Sequence, residues 1–248
     1  MASREPKPSP CPSAAQFAAT RWTIVVAAAD DKGGAASRRA LEELIRAYWF
    51  PLYAYVRRQG SSPEQAEDLT QSFFTHLLEK KSLTHVDRSK GRFRSFLLAA
   101  LKNFLADERD RAVAAKRGGG RQFISLDTLE AEARYPKELA DAMTPERLFE
   151  HSWAITLLNQ VLLRLQEEYS EQGKQDVFQS LRHVLDGQTT GQSYAEDASR
   201  LGTTEGAVRV MAHRMRRRYR ELLRAEILQT VADEGLVDGE IHYLLKCL

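Results

Sequence analysis

The sequence predicts an all-α protein: two small helical domains joined by a linker, the C-terminal one containing a helix-turn-helix. Three observations predict it. Apolar residues recur at three- and four-residue spacing along most of the chain, as in amphipathic helices. A triple glycine, Gly118 to Gly120, precedes an acidic stretch and marks a boundary near the middle. Ser193 to Leu223 reads as two capped helices around a tight turn. The 248 residues allow one large or two small domains, and 43% apolar content suffices for real cores.

Residues 1–16 contain Pro6, Pro8, Pro10 and Pro12, which predict a disordered start. Arg4 and Lys7 lead into these prolines and not into an apolar signal core, so a secretory leader is not expected. The first domain spans 17–117. Thr20 to Ala29 fits a short helix or a strand, and periodicity leaves both open. From Ser37, residues Leu41, Leu44, Ile45, Tyr48, Leu52, Tyr55 and Val56 form a helical stripe, with a kink or break expected at Pro51. Ser62, Pro63 and Glu64 start the next helix: an N-cap, a first-position proline, then an acid. Its inward face is Ala66, Leu69, Phe73, Leu77 and Leu78. A basic loop with Arg88, Lys90 and Arg92 follows, then a helix from Phe93 with Phe96, Leu97, Ala100, Leu101, Phe104 and Leu105 inward. The phenylalanines Phe73, Phe74, Phe93, Phe96 and Phe104 are expected in the core, because aromatics dominate burial.

Residues 118–150 read as an acidic linker: Asp127, Glu130, Glu132, Glu138, Asp141, Glu146 and Glu150 outnumber Arg134, Lys137 and Arg147. The second domain spans 151–224. Leu157, Leu158, Val161, Leu162 and Leu165 give one stripe, Glu167 to Asp176 a polar loop, and Val177, Phe178, Leu181, Val184 and Leu185 a second stripe. Ser193 then caps a helix and Glu196 completes a capping box. Gly202 permits the left-handed turn, and Thr204 caps a second helix with Glu205 at its positive end. On that helix Val208, Ala212, Met215, Tyr219, Leu222 and Leu223 face inward. The other face carries Arg209, His213, Arg214, Arg216, Arg217, Arg218, Arg220 and Arg224 against a single acid, Glu221. A capped turn with one nearly one-signed helix face predicts contact with nucleic acid. Residues 225–248 form a tail expected to fold into two short helices packed back on the domain.

Net charge is only +2, so the positive charge is local, and so is any nucleic-acid surface. Cys11 and Cys247 lie near opposite ends and suit neither a disulfide framework nor a zinc site, which fits a reducing cytoplasm. No apolar run approaches the ~20 residues of a membrane span. There is no HExxH, Walker A or nucleophile-elbow motif, and His76, His85, His151, His183, His213 and His242 are dispersed. The chain is therefore expected to be no enzyme and to need no metal or cofactor.

Three stretches together resemble a bacterial RNA polymerase sigma factor of the extracytoplasmic-function type, in the sigma-70 family. Ala66-Glu67-Asp68-Leu69-Thr70-Gln71-Ser72-Phe73-Phe74 is similar to the family's polymerase-binding signature. Gly91 to Leu97, continued through Asn103 to Asp107, is similar to the segment that follows it. Tyr194 to Leu223 is similar to the family's helix-turn-helix. The resemblance covers Leu41 to Arg117 and Tyr194 to Leu223, with all three motifs in family order.

The resemblance implies a factor that binds core RNA polymerase and directs it to promoter DNA in the cytoplasm. An anti-sigma factor or a regulatory kinase would be further partners. Asp68 and Gln71 match polymerase-contacting positions, with Glu67 beside them as part of the same expected contact. Arg88, Lys90, Arg92, Arg94, Lys102, Asn103 and Arg109 would neutralise phosphates of the opened minus-ten strand. The helix-turn-helix would enter the major groove of the minus-thirty-five element with Thr204, Glu205, Ala207, Arg209, Val210, Met211, His213, Arg214, Arg216 and Arg217. Of these, Thr204, Arg209 and Met211 would reach base edges, and Arg214, Arg216 and Arg217 would grip phosphates.

This chain departs from the family at Thr70 and Ser72, where the family has valine and a second glutamate. Phosphorylation there would restore negative charge at the polymerase interface. The stretch from Leu165 to Gln192 is longer than usual, and the tail is additional. The competing function is a stand-alone helix-turn-helix repressor or activator acting as a dimer.

Overall fold

Consecutive buried side chains along a stretch of helix show that the stretch lies inside the molecule and not on its surface. In the first helix, α1 (Ala35–Arg58), Leu52, Tyr53, Ala54, Tyr55 and Val56 are all buried, whereas Arg39, Glu42 and Arg46 of its first half are exposed. A stretch apolar on every side needs neighbours on every side. The computed structural model describes residues 35–79, 92–114, 126–135, 141–185, 193–231 and 233–248. Every regular element among them is helical. The expectations for residues 1–34, Arg88, Lys90, the triple glycine and residues 186–192 lie outside the described residues.

α1 runs through Pro51 without interruption, where a kink or break was the expectation. Dense burial on both sides of the proline holds the helix together despite one lost backbone bond. α2 (Pro63–Glu79) starts as its sequence predicts. The Gln65 N–H donates to Ser62 Oγ (3.2 Å), and the Ser62 N–H donates to the Gln65 side chain (3.1 Å). α2 buries Ala66, Phe73, Phe74 and Leu77, while Leu78 is exposed. α3 (Phe93–Ala114) buries Phe93, Leu97, Leu101, Phe104 and Leu105. The rings of Tyr48 and Phe93 meet edge to face at 5.6 Å, and Phe73 and Phe104 at 5.7 Å. Phe73, Phe74, Phe93 and Phe104 are thus core residues, and Phe96 is half-buried against them.

The acidic stretch is not a bare linker. Leu126–Arg134 forms a short helix, α4. Its Glu132 accepts from the Tyr53 hydroxyl (2.6 Å) and from Arg57 Nε (2.7 Å). Burial and that carboxylate push the Tyr53 phenol well up. Arg58 donates to the Met143 carbonyl (2.9 Å) and fastens the next segment to α1. α5 (Pro145–Glu171) then begins six residues before the expected domain boundary. Thr144 caps it, accepting from the Arg147 N–H (3.3 Å), and Glu146 lies in its positive first turn.

α5 extends through Glu171, covering much of the expected polar loop, and the chain reverses at Gly173 with φ +66°. α6 (Gln175–Leu181) and a 3₁₀ turn (Arg182–Leu185) follow. α7 (Tyr194–Leu201) and α8 (Glu205–Leu228) form the C-terminal pair, and α9 (Val237–Lys246) closes the chain. The tail thus yields an extension of α8, a 3₁₀ turn at Glu234–Leu236 and one further helix.

The expected pair of separate domains becomes one continuous core among the described residues. α1 and α5 make the most extensive helix pair in the molecule. A single cluster of buried apolar side chains runs from Ala40 to Leu244 and draws on α1 through α9. The reason is the length of α5. At 27 residues it reaches back along α1 and forward to α8. Urea unfolding should therefore give one transition, coincident by circular dichroism and tryptophan fluorescence. Leu165→Ala should lower stability by about 2–5 kcal/mol without splitting that transition. Two resolved transitions would mean two independent cores.

Candidate nucleic-acid interface

The α7–α8 pair is built by local chemistry. Ser193 and Glu196 exchange hydrogen bonds: the Glu196 N–H donates to Ser193 Oγ (3.3 Å), and the Ser193 N–H donates to the Glu196 carboxylate (3.2 Å). Gly202 ends α7 in the left-handed region, at φ 61° and ψ 37°. The Thr203 N–H reaches back to the Ala198 carbonyl at 3.0 Å, satisfying an end that water would otherwise have to serve. Thr204 caps α8, accepting from the Ala207 N–H at 3.3 Å. Val208, Ala212, Met215, Leu222 and Leu223 are buried, and Tyr219 donates its hydroxyl to the Leu158 carbonyl (3.4 Å).

The opposite face of α8 is exposed and cationic. Arg209, His213, Arg216, Arg217 and Arg220 recur at four, seven, eight and eleven residues from the first, which sets them in one stripe. Arg214 flanks this stripe, is exposed, and has no ion-pair partner among the described residues. Exposed Arg209 pairs with Glu205 (2.6 Å) and lies 6.0 Å from the Tyr194 ring. Arg217 pairs with Glu221 (2.9 Å), which together with Arg218 holds that carboxyl below its usual range. Arg216 donates its Nε to the Val184 carbonyl at 3.2 Å, a contact that aims the side chain while it stays exposed. Thr204 and Glu205 are exposed at the start of the helix and Ala207 is half-buried. Val210, 49% exposed, is the apolar residue of this face.

Two side chains of α8 are placed otherwise than expected. Met211 is half-buried and packs on the core, one turn from Met215, so it does not present to base edges here. Arg218 faces α5, where Glu168 accepts from its Nε and Nη2, both at 2.7 Å. A planar fork matched to a carboxylate is a positioning contact. It fastens α8 to α5, as does Arg164 of α5 to the buried Glu226 of α8 (2.7 Å). Glu168 and Glu226 were not flagged by the sequence, because nothing local connects them to the arginines they meet.

The second cationic set lies on α3. Arg92 is exposed, Lys102, Asn103 and Arg109 are exposed further along, and Arg109 donates to Gln59. Lys102 pairs with Glu146 at the start of α5 (2.7 Å), which raises the ammonium's pKa and lowers the carboxyl's. Arg94 departs from the expected open track. It is 2% exposed. Its Nε donates to Glu150 (2.8 Å), its Nη1 to Glu240, and its guanidinium lies 4.2 Å from the Trp153 ring. The sequence held a signal for this. Arg94 stands three and seven residues before Leu97 and Leu101, on the core stripe of α3.

On α2, Asp68, Gln71 and Ser72 are exposed. Glu67 is turned inward, 7% exposed, and accepts from the Gln71 side chain at 3.1 Å, which corrects its expected place on the outer face. Thr70 is fully buried and donates its hydroxyl to the Ala66 carbonyl (2.6 Å), so it is not open to a kinase as folded. Helix phase explains both. Thr70 lies three and seven residues before buried Phe73 and Leu77, and Glu67 seven before buried Phe74.

Among the described residues, no helix is long and apolar enough to cross a membrane. Set beside known proteins, the chain matches no family model, no curated protein and no solved structure.

Proposed function

We propose that this chain is a sigma-type initiation factor that binds core RNA polymerase and directs it to promoter DNA, acting in the cytoplasm. The observation that carries the reading is the exposed arginine stripe of α8, standing directly behind a doubly capped turn. Such a pair is a helix-turn-helix, whose second helix fits the major groove. Thr204, Glu205, Arg209, Val210 and His213 lie toward the start of α8, where side chains meet base edges in that docking mode. An arginine such as Arg209 can take guanine bidentately, and Val210 suits a thymine methyl. Arg214, Arg216 and Arg217 follow as phosphate ligands.

The first half supplies the polymerase contact and a strand-binding surface. Asp68 and Gln71 are exposed three residues apart on α2, so both can meet one partner surface. Arg92, Lys102, Asn103 and Arg109 supply donors along α3 for the phosphates of an opened minus-ten strand. Ser72, exposed beside Gln71, is the one of the two departing positions that a kinase can reach.

Run-off transcription with core polymerase on a promoter pool tests the whole reading, with promoter-dependent transcripts the expected result. Arg209→Ala should change preference at one or two upstream promoter positions. Arg216→Ala should weaken binding to all duplexes alike and lower the salt slope by about one unit. Identical effects of the two changes on every promoter would refute this division of labour. Asp68→Ala should reduce co-elution with core polymerase while duplex affinity stays unchanged.

A further inference from the structure

Glu240 is 1% exposed, yet it sits on a ten-residue helix at the end of the chain. One oxygen of its carboxylate meets Arg94 Nη1, and the other lies 2.8 Å from Arg92 Nη2. Tyr243, one turn on, places its ring 5.1 Å from both guanidinium carbons. Glu150 of α5 takes Arg94 Nε, while Arg94 Nη2 has no hydrogen-bond partner among the described residues. The first turn of α3 contains no acid, so its positive end adds to the field of the two arginines. Two guanidiniums and a helix N-terminus make a place for an anion. Two carboxylates of the same chain fill it.

We propose that α9 is an autoinhibitory clasp. Glu240 stands in for a phosphate at a strand-binding site formed by Arg92, Arg94 and the start of α3, and α9 must leave before nucleic acid can occupy it. This rests on the reading of α3 as a strand-binding surface, and adds that the surface is closed in the free protein. With α9 docked, two cations face two carboxylates. With α9 gone, Glu150 alone remains and the site carries a net positive charge.

α9 is suited to leaving. Its fully buried apolar residues are Val237 and Leu244, whereas Leu245 and Leu248 are exposed. A cavity of about 300 Å³, lined by Met143, Glu146, Glu150, Tyr243 and Cys247, opens between α9 and the start of α5. Further ties among the described residues include Ile241 and Cys247, half-buried against the core, the exposed Arg224–Asp238 pair and the Cys247 carbonyl, 2.7 Å from His151 Nδ1. A helix this short does not persist alone in water, so undocking and unfolding of α9 are one event.

The test uses the full chain and two variants, Glu240→Gln and Arg224→Ala. Hydrogen exchange of residues 237–247 reads the clasp. Fluorescence anisotropy with a labelled single strand of about twelve nucleotides reads the site over a range of salt. Glu240→Gln should speed exchange and tighten strand binding, each by about tenfold. Its salt slope should steepen by about one counterion. Arg224→Ala removes a positive charge outside the site, so a simple charge effect would weaken binding; the clasp predicts faster exchange and tighter binding. If Glu240→Gln fails to fold, Arg224→Ala still decides. Unchanged exchange in the folded variants, or faster exchange with no gain in strand affinity, would overturn the clasp. Duplex binding, measured in parallel, reports on α8: its absence in the unaltered chain would overturn the proposed function and leave the exchange result standing.

Discussion

An arginine cannot shed its charge, so a buried one must be matched where it lies. Arg94 sets that condition here. Burial works against its charge more than any other single influence, yet the carboxylates of Glu240 and Glu150 together outweigh it and hold the guanidinium more firmly protonated. Glu150 fares less well: burial pushes its carboxyl up despite Arg94 beside it. The three residues come from α3, α5 and α9, and the ring of Trp153 on α5 covers the guanidinium. None of these helices can shift unless another group matches the charge it leaves behind. The cluster thus ties the first half of the chain to the long central helix and closes α9 over the seam, where only an anion in place of Glu240 can match Arg94.

The same long helix decides which arginines of α8 meet solvent. α5 presents Glu168 and Arg164 toward α8, and these take Arg218 and Glu226. Once those pairs form, the rotation of α8 about its axis is set. Arg209, His213 and Arg217 then face away from the core, while Met211 turns toward it. The more exposed of the two, Arg218–Glu168, contributes little to stability, roughly 0–1 kcal/mol. Its larger effect is geometric, because a bidentate pair tolerates only a narrow range of orientations. The cationic stripe is a product of helix propensity and of this registration together.

Local chemistry was legible in the sequence. The Ser62 and Ser193 starts, the Gly202 turn and the Thr204 cap depend on residues within a few positions of one another. The core stripes of α2, α3 and α8 were legible for the same reason. What was not legible was which stripe faces which. The acids between Asp127 and Glu150 read as a linker because their partners, Arg57, Arg94 and Lys102, are 44 to 75 residues away in sequence. Pairing converts an apparent strap into a seam that joins two expected domains. Arg94, Thr70 and Glu67 were misplaced for a different reason. Motif likeness assigned them outward roles, whereas helix phase already set them beside Leu97, Phe73 and Phe74. Where a motif and a helical phase disagree about which way a residue faces, phase describes the folded chain, because burial of a stripe outweighs one polar side chain.

The magnitudes at α9 bear on why so much charge is buried there. Two fully buried aliphatic side chains, Val237 and Leu244, contribute about 1.5–3 kcal/mol each. The ion pairs add little net, since desolvation consumes most of their Coulombic gain. Half-buried Ile241 and Cys247 add a further share, so docking of α9 is worth several kcal/mol. Non-specific nucleic-acid binding, with dissociation constants of roughly 10⁻⁴–10⁻⁶ M, corresponds to about 5–8 kcal/mol at the standard state. The two are of similar size, so a strand delivered at high local concentration can displace α9, whereas a stray strand in dilute solution cannot. An apolar residue at 240 would hold the helix as well or better, but nothing anionic could then exchange with it. A carboxylate at that position matches the chemistry of the ligand it would give way to.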